Sequence, residues 1–203
     1  MKLLPLNIRN FVLAFTVMLL GACTSLPQTT LLPTQVSSVQ QAKAWELKGK
    51  LLVKTPQDKF STHLFWLHEP NRDQLTLTTM LGTTVLSLDA RPDSVTLTAD
   101  GKTHTGNDAQ RLLQRLTGWS IPVNQFPYWI TGQIHQQQLI TNLDSYGNPR
   151  SVLISLDGTH WSLTYKSWQQ QSGANVPRLL QVKQPELDLK VQINKWQALA
   201  VTQ

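Results

Sequence analysis

The sequence predicts a mainly β fold of the α+β class, built from antiparallel strands. Leucine or valine alternates with small polar residues in several short runs, as in strands with one buried face. Turn-forming residues separate these runs at short intervals, which favours hairpins. Helical signals are few. Ten or so strands in succession therefore predict one large curved sheet or barrel.

The predicted strands follow one another along most of the chain. Alternation is clearest at residues 74–79, 84–88 and 94–99, and further strands are predicted at 138–143, 151–156, 160–168, 178–184 and 187–197. Turn chemistry separates the runs at 69–73, 90–93, 100–101, 146–149 and 157–158.

Three short helices are predicted. Asn107 or Asp108 can cap a helix over residues 110–116, which Gly118 would end. Its leucines form a single apolar stripe, so this helix should lie on the sheet. A second helix is predicted over 125–130, with Pro127 in its first turn, and a third before Trp45. Helices on one face of an antiparallel sheet can act as a lid.

The amino terminus has the pattern of a secretory signal peptide. Lys2 and Arg9 precede an apolar run at residues 11–20, well short of the roughly 20 residues of a membrane-spanning helix. The run ends in Leu20-Gly21-Ala22-Cys23, which resembles the lipobox of bacterial lipoproteins. That resemblance implies cleavage before Cys23, an S-diacylglycerol on its thiol and an N-palmitoyl group on its new amine. The alternative is an ordinary buried thiol behind a signal peptide.

These features divide the chain into three parts. We expect a lipoprotein signal peptide at 1–22, the lipidated cysteine and a flexible tether at 23–38, and one folded domain at 39–203. Thr24 stands where aspartate signals inner-membrane retention in many bacteria, which favours the periplasmic face of the outer membrane. Loss of Lys2 and Arg9 lowers the formal net charge from +6 to +4. This mild positive charge suits anionic lipid or an acidic partner, and export argues against nucleic acid.

No catalytic or metal-binding pattern is recognisable in the sequence. The histidines stand apart, without metal-ligand spacing, at His63, His68, His104, His135 and His160. No serine lies in a Gly-x-Ser-x-Gly turn, and no glycine-rich phosphate loop is present. We therefore expect no metal, no cofactor and no enzymatic reaction. A hydrolase whose triad is scattered along the sequence is the less favoured alternative.

Short motifs spread over nearly all of the mature chain carry a family resemblance. In order they are the lipobox ending at Cys23; Gly49 after Trp45-Glu46-Leu47-Lys48; Leu64-Phe65-Trp66; Leu81-Gly82-Thr83-Thr84; Leu116-Thr117-Gly118 with Ile121-Pro122; Trp129-Ile130-Thr131-Gly132; and Trp161 with Tyr165. Their order and spacing resemble those of the LolB family of outer-membrane lipoprotein receptors. They are more distantly similar to the periplasmic carrier LolA, which shares the fold.

The resemblance implies an incomplete antiparallel β-barrel that encloses a hydrophobic cavity for acyl chains, covered by a lid of short α-helices. A curved sheet with aliphatic residues on its inner face can supply such a cavity. Leu64, Trp66, Leu113 and Trp129 are the candidates to line it. Each tryptophan can alternatively be an ordinary core residue.

The resemblance also implies a protruding loop whose exposed leucine places lipoproteins into the membrane. Leu81 occupies that position, with Met80 and Gly82 beside it. The family has Asn-Pro before the leucine where this chain has Thr79-Met80, which allows a less rigid loop and a shared role for Met80. The alternative is a hairpin tip whose leucine folds back on the core.

The expected function is to accept triacylated lipoproteins from LolA and release them into the phospholipid of the outer membrane, as a monomer. The alternative is a structural lipoprotein that braces an envelope assembly. A cavity distinguishes the two, because a brace has a filled core.

Overall fold

The structure, a computed structural model, describes residues 30–136 and 139–202. The predicted signal peptide, Cys23 and residues 24–29 of the predicted tether lie outside the described residues. Leu31–Ala200 form one unit with its own hydrophobic core.

The described strands form one sheet. They are β1 (Thr30–Pro33), β2 (Ala44–Lys54), β3 (Lys59–Glu69), β4 (Arg72–Thr78), β5 (Thr84–Ala90), β6 (Val95–Ala99), β7 (Lys102–Gly106), β8 (Ile140–Leu143), β9 (Pro149–Leu156), β10 (Thr159–Gln171), β11 (Ala174–Gln184) and β12 (Leu187–Thr202). Their order is β7-β6-β5-β4-β3-β2-β12-β11-β10-β9-β8, and β1 pairs with β12 beside this path. The edge strands β7 and β8 do not pair with each other, so the sheet is open. The predicted mainly β fold is confirmed.

The sheet contains strands that the sequence pattern does not predict. Strand β2 was not among the predicted runs, although its buried residues Trp45, Leu47 and Val53 alternate. Gly49 occupies an inward position of this alternation, where a Cβ would collide with the carbonyl oxygen of Gln192. Strand β7 has the sequence Lys-Thr-His-Thr-Gly and lacks any apolar signal.

Strand β1 lies within the predicted tether, so the tether ends earlier in the chain than predicted. The tether was expected to continue to residue 38, but Thr30–Pro33 pairs with β12. The amide of Thr34 donates to the carbonyl of Ala198 (2.9 Å), and that of Val36 to the carbonyl of Ser172 (2.8 Å). Strand β11 pairs with β12 only as far as Gln192, so later β12 residues can accept another strand. Backbone pairing therefore orders a segment that has no side-chain period.

Within the described part of the chain, two α-helices and one 3₁₀ turn accompany the sheet. Helix α1 (Ala109–Thr117) begins at Asp108, whose carboxylate accepts from the Arg111 amide at 3.0 Å, and ends at Gly118 in the left-handed conformation. Helix α2 (Phe126–Thr131) has Pro127 in its first turn. The third predicted helix is a 3₁₀ turn, Val39–Gln41. Among residues 30–136 and 139–202, no helix has the length and apolar character that a membrane span requires.

Candidate functional site

An apolar surface on the inner face of the sheet forms the floor of the candidate site. Successive inward positions on five strands supply it, because side chains two residues apart share a face. The contributing residues are Leu51 and Val53 of β2, Leu64 and Trp66 of β3, Leu75 and Leu77 of β4, Leu86 and Leu88 of β5, and Leu189 and Val191 of β12.

Residues 109–131, hereafter the lid, cover this floor. Helix α1 contributes Leu113, and helix α2 contributes Phe126 and Ile130. The irregular segment between the helices adds Trp119, Ile121 and Val123. The lid therefore presents a continuous apolar underside, and residues from the floor and the lid together enclose a cavity.

The cavity is small and almost wholly apolar. Its volume is about 80 Å³, and Asp73 is its only charged lining residue within the described part of the chain. Pockets that enclose drug-sized ligands typically measure about 300–1,000 Å³. A long acyl chain therefore fits only after the lid has moved away from the floor.

Two side chains of strand β3 bind the Asp73 carboxylate at the margin of the cavity. The indole nitrogen of Trp66 donates to it at 2.7 Å, and the Nδ1 atom of His68 lies 2.8 Å from the same oxygen. The hydrogen bond to this oxygen orients the Trp66 ring, and the oxygen itself is not left without a partner beside the apolar space.

The two ends of the lid are attached differently. In helix α2 the carbonyl of Trp129 accepts from the buried Tyr165 hydroxyl at 2.8 Å, and Ile130 is fully buried. Burial raises the pKa of Tyr165 well above its ordinary value, so its hydroxyl remains a donor. Helix α1 exposes Arg111 and Leu116 on its outer face. Helix α2 is thus tied to β10 by a hydrogen bond, whereas α1 packs on the sheet through the apolar side chains of Leu112 and Leu113.

Aromatic contacts close the lid onto the floor. The rings of Trp119 and Phe60 stack with centroids 5.6 Å apart, and those of Phe126 and Trp66 with centroids 6.3 Å apart. Such contacts contribute about 0.5–1.5 kcal/mol each beyond the area that they bury. They are weak enough to be exchanged for contacts with a bound apolar ligand.

The structure brings three of the four cavity candidates together. Leu64, Trp66 and Leu113 line the cavity, but Trp129 does not. Trp129 is buried against Phe126 and Trp161, with ring centroids 5.8 and 5.5 Å away. It belongs to the filled part of the core because α2 turns it toward β10 rather than toward the cavity.

Sequence reasoning missed several lining residues. The alternation in β4 and β5 could have indicated the leucines there, since it assigns them to one face. The lid residues between the helices carry a weaker signal. Trp119, Ile121 and Val123 stand at every second position, as in a strand, but Pro122 interrupts the segment and argues against one.

The turn between β4 and β5 projects a large apolar side chain into solvent. Leu81 is 95% exposed and Met80 is 64% exposed, so the alternative in which the leucine folds back on the core is wrong. The Thr79 amide donates to the Thr83 carbonyl (2.8 Å), and the Gly82 amide donates to the Thr79 carbonyl (3.0 Å). The Thr79 hydroxyl also accepts from the Thr83 amide at 3.2 Å. The Thr79 side chain therefore supports the turn without the family's proline.

An open antiparallel sheet with a lid over an apolar cavity defines a protein that binds an apolar ligand. No cluster of three or more potential metal ligands occurs within the described ranges.

Comparison with known proteins agrees with this class. The family model described as outer membrane lipoprotein LolB matches residues 43–196. The outer-membrane lipoprotein LolB of Shewanella loihica is 49% identical over 186 residues, which cover 92% of this chain and 86% of that one. The Shewanella oneidensis protein of the same name is 50% identical over 181 residues, covering 89% and 85%. The solved structure of a LolA superfamily protein from Nitrosomonas europaea aligns with a TM-score of 0.44 and 7% identity, covering 77% of this chain and 86% of that one. The chain belongs to the LolB family, and the resemblance inferred from the sequence is confirmed.

Proposed function

We propose that this chain accepts the acyl chains of lipoproteins from the periplasmic carrier LolA and inserts the lipoproteins into the inner leaflet of the outer membrane. As a LolB family member it is an outer-membrane lipoprotein and a lipoprotein receptor. The observation that supports acyl binding is the apolar cavity between the sheet and the lid. Clients are triacylated, and the receptor acts as a monomer.

Acyl binding requires the lid to open, and we propose that it opens at α1. Helix α2 is held by a buried hydrogen bond to Tyr165, whereas α1 has one face in solvent. Movement of α1 and Trp119 away from β3 would expose the floor leucines to an entering chain. Each buried methylene contributes about 0.8 kcal/mol, so a few methylenes offset the loss of one aromatic contact.

No catalytic step is needed for this function. An acyl chain passes from one apolar site to another, and the direction depends only on which protein binds it more tightly. The cavity needs apolar area, and its one carboxylate already has partners.

The Leu81 tip is the proposed site of insertion into the bilayer. An exposed side chain of this size forgoes about 1.5–3 kcal/mol of burial, which contact with lipid would recover. Met80 widens the apolar tip, and Gly82, with φ of 87°, allows the turn. Cys23 is the proposed lipid anchor, with three acyl chains that hold the receptor on the outer-membrane phospholipid.

The first test uses residues 24–203, which lack Cys23 and keep every described residue. We would mix this form with LolA loaded with a triacylated lipoprotein, or with an unacylated control, and measure co-elution. Transfer of the acylated client alone is expected. Transfer of neither client would instead favour a structural brace.

A matched pair of variants tests the cavity itself. Leu75→Trp fills space beneath the lid and should reduce transfer, whereas Leu153→Trp adds the same ring on the exposed face of β9 and should not. Equal transfer by both variants would contradict acyl binding in this cavity.

A second pair tests the tip. Leu81→Glu should still accept the client from LolA but fail to deliver it to vesicles, because a carboxylate resists entry into lipid. Leu153→Glu changes another exposed leucine and should deliver normally. Normal delivery by Leu81→Glu would rule out the proposed role of the tip.

A further inference from the structure

A second hairpin repeats the geometry of the Leu81 turn. In residues 144–148 the Asp144 amide donates to the Asn148 carbonyl (2.9 Å), and the Gly147 amide donates to the Asp144 carbonyl (3.1 Å). Gly147 has φ of 81°, as Gly82 has 87°. Tyr146 occupies the same position in its turn as Leu81 does in the first, and it is 89% exposed.

Hydrogen bonds hold the turn that exposes Tyr146. The Asp144 carboxylate accepts from the amides of Tyr146 and Asn148, both at 2.9 Å. The side-chain amide of Asn175 on β11 also donates to the Asn148 side chain at 2.7 Å. Leu143, the residue before the turn, is 51% exposed. Among the hairpin turns in the described residues, only this one and the Leu81 turn carry a large apolar side chain at the apex.

The two tips lie at opposite ends of the sheet. Each step from β4 to β9 along the sheet is antiparallel, and the six steps leave β4 and β9 running in the same direction. The Leu81 turn follows the end of β4, whereas the Tyr146 turn precedes the start of β9.

The segment that leads from β1 to β2 is held at the Tyr146 end. Its Val36 amide donates to the carbonyl of Ser172, in the turn just before β11. Cys23 lies seven positions before Thr30, the first residue described. Seven residues span at most about 25 Å, so a lipid on Cys23 would keep the β1 region near the bilayer.

We propose that the Tyr146 tip, residues 143–147, is a second bilayer contact that lies close to the lipid anchor. This proposal rests on the proposed function, because it takes Cys23 as the lipid anchor. Tyrosine suits the membrane–water interface, because its ring enters the acyl boundary while its hydroxyl stays hydrated. Arg150, exposed near the start of β9, adds a charge suited to phospholipid phosphate. With the anchor at one end and Leu81 at the other, this contact would orient the strands along the membrane surface.

The lone cysteine of the chain makes a direct test practical. Residues 24–203 contain no cysteine, so one thiol-reactive fluorophore can be placed at a chosen position. Ser145→Cys puts an environment-sensitive label beside Tyr146, and Asp93→Cys puts it on the exposed polar turn between β5 and β6, at the same end of the sheet. The probe is a vesicle of phosphatidylethanolamine and phosphatidylglycerol.

The label at 145 should brighten with vesicles, and the label at 93 should not. Adding Tyr146→Ser to Ser145→Cys should lower vesicle affinity about tenfold. No brightening at 145, or affinity unchanged by Tyr146→Ser, would overturn the proposal. Brightening with loaded LolA but not with vesicles would also overturn it, by assigning the tip to a protein.

Client transfer in solution separates this proposal from the proposed function. Tyr146→Ser should accept clients from LolA normally when no vesicles are present. Failure of wild-type transfer would contradict the proposed function and leave the vesicle result intact, whereas failure of the vesicle test would leave transfer intact.

Discussion

Removing the ring of Phe60 should loosen the lid and speed the entry of an acyl ligand. Phe60 stacks on Trp119 with centroids 5.6 Å apart and an interplanar angle of 24°. Loss of such a pair removes about 0.5–1.5 kcal/mol from the closed lid, which raises the ratio of open to closed forms about 2- to 13-fold. If opening limits entry, the association rate of a fluorescent fatty acid should rise by the same factor in Phe60→Ala.

Phe65→Ala is the matched control for this experiment. Phe65 is a half-buried phenylalanine on the same strand, but its ring lies on the other face, 5.6 Å from the Lys48 ammonium. Stopped-flow fluorescence should give a wild-type association rate for this variant. The reasoning is refuted if Phe60→Ala associates at the wild-type rate, or if both variants accelerate equally.

Three further predictions concern stability. Tyr165→Phe removes one of two hydrogen bonds to the buried Trp129 carbonyl, which still accepts from the Gly132 amide at 3.1 Å, and should lower the free energy of unfolding by about 0.5–1.5 kcal/mol. Gly49→Ala should destabilise the chain by at least about 1–3 kcal/mol, because its new methyl group would meet β12 backbone. The Arg72 guanidinium hydrogen-bonds to Asp89 and holds the pKa of that carboxyl below its ordinary value. The resulting stability is present above about pH 4 and is lost as pH falls through the folded-state pKa, so Asp89→Asn should lose less stability on acidification than wild type.

Each prediction has its own control in denaturant or thermal unfolding. Tyr128→Phe changes a partly exposed tyrosine on the same helix as Trp129 and should be close to neutral. Gly147→Ala meets no atom within 4 Å and should cost only the backbone strain of a positive φ, so an equal loss in Gly49→Ala would contradict the steric argument. Parallel acid profiles for Asp89→Asn and wild type would contradict the role of Arg72.

Side-chain period is what made the fold predictable from the sequence. Leu75 and Leu77, like Leu86 and Leu88, alternate with polar residues, and this assigns both strands and their common face. Strand β7 could not be found in this way, because its only strand signal is pairing with β6, where the Thr98 and Thr103 hydroxyls lie 3.0 Å apart. Strand β1 likewise depends on the backbone of β12.

The candidate site was less predictable, because it depends on how the lid packs over the sheet. Leu64 and Trp66 follow from their alternation on β3, but nothing local distinguishes Trp129, which fills the core, from Phe126, which reaches the cavity. Exposure at hairpin tips is equally invisible in sequence, since Leu81 could have folded back on the core. Tertiary packing decides both questions.

The division between a filled and an unfilled half of the core explains how one small domain can be both stable and able to bind. On the β10 side the core is filled. There Trp129 of α2 packs against Trp161, and its carbonyl accepts from the Tyr165 hydroxyl. On the β4 side the cavity of about 80 Å³ forgoes packing worth about 2 kcal/mol at roughly 24 cal/mol per Å³. The missing packing raises the free energy of the empty, closed lid and so makes the lid easier to open. An entering chain therefore gains its own burial and restores packing that the empty protein lacks, while the filled half keeps the fold intact.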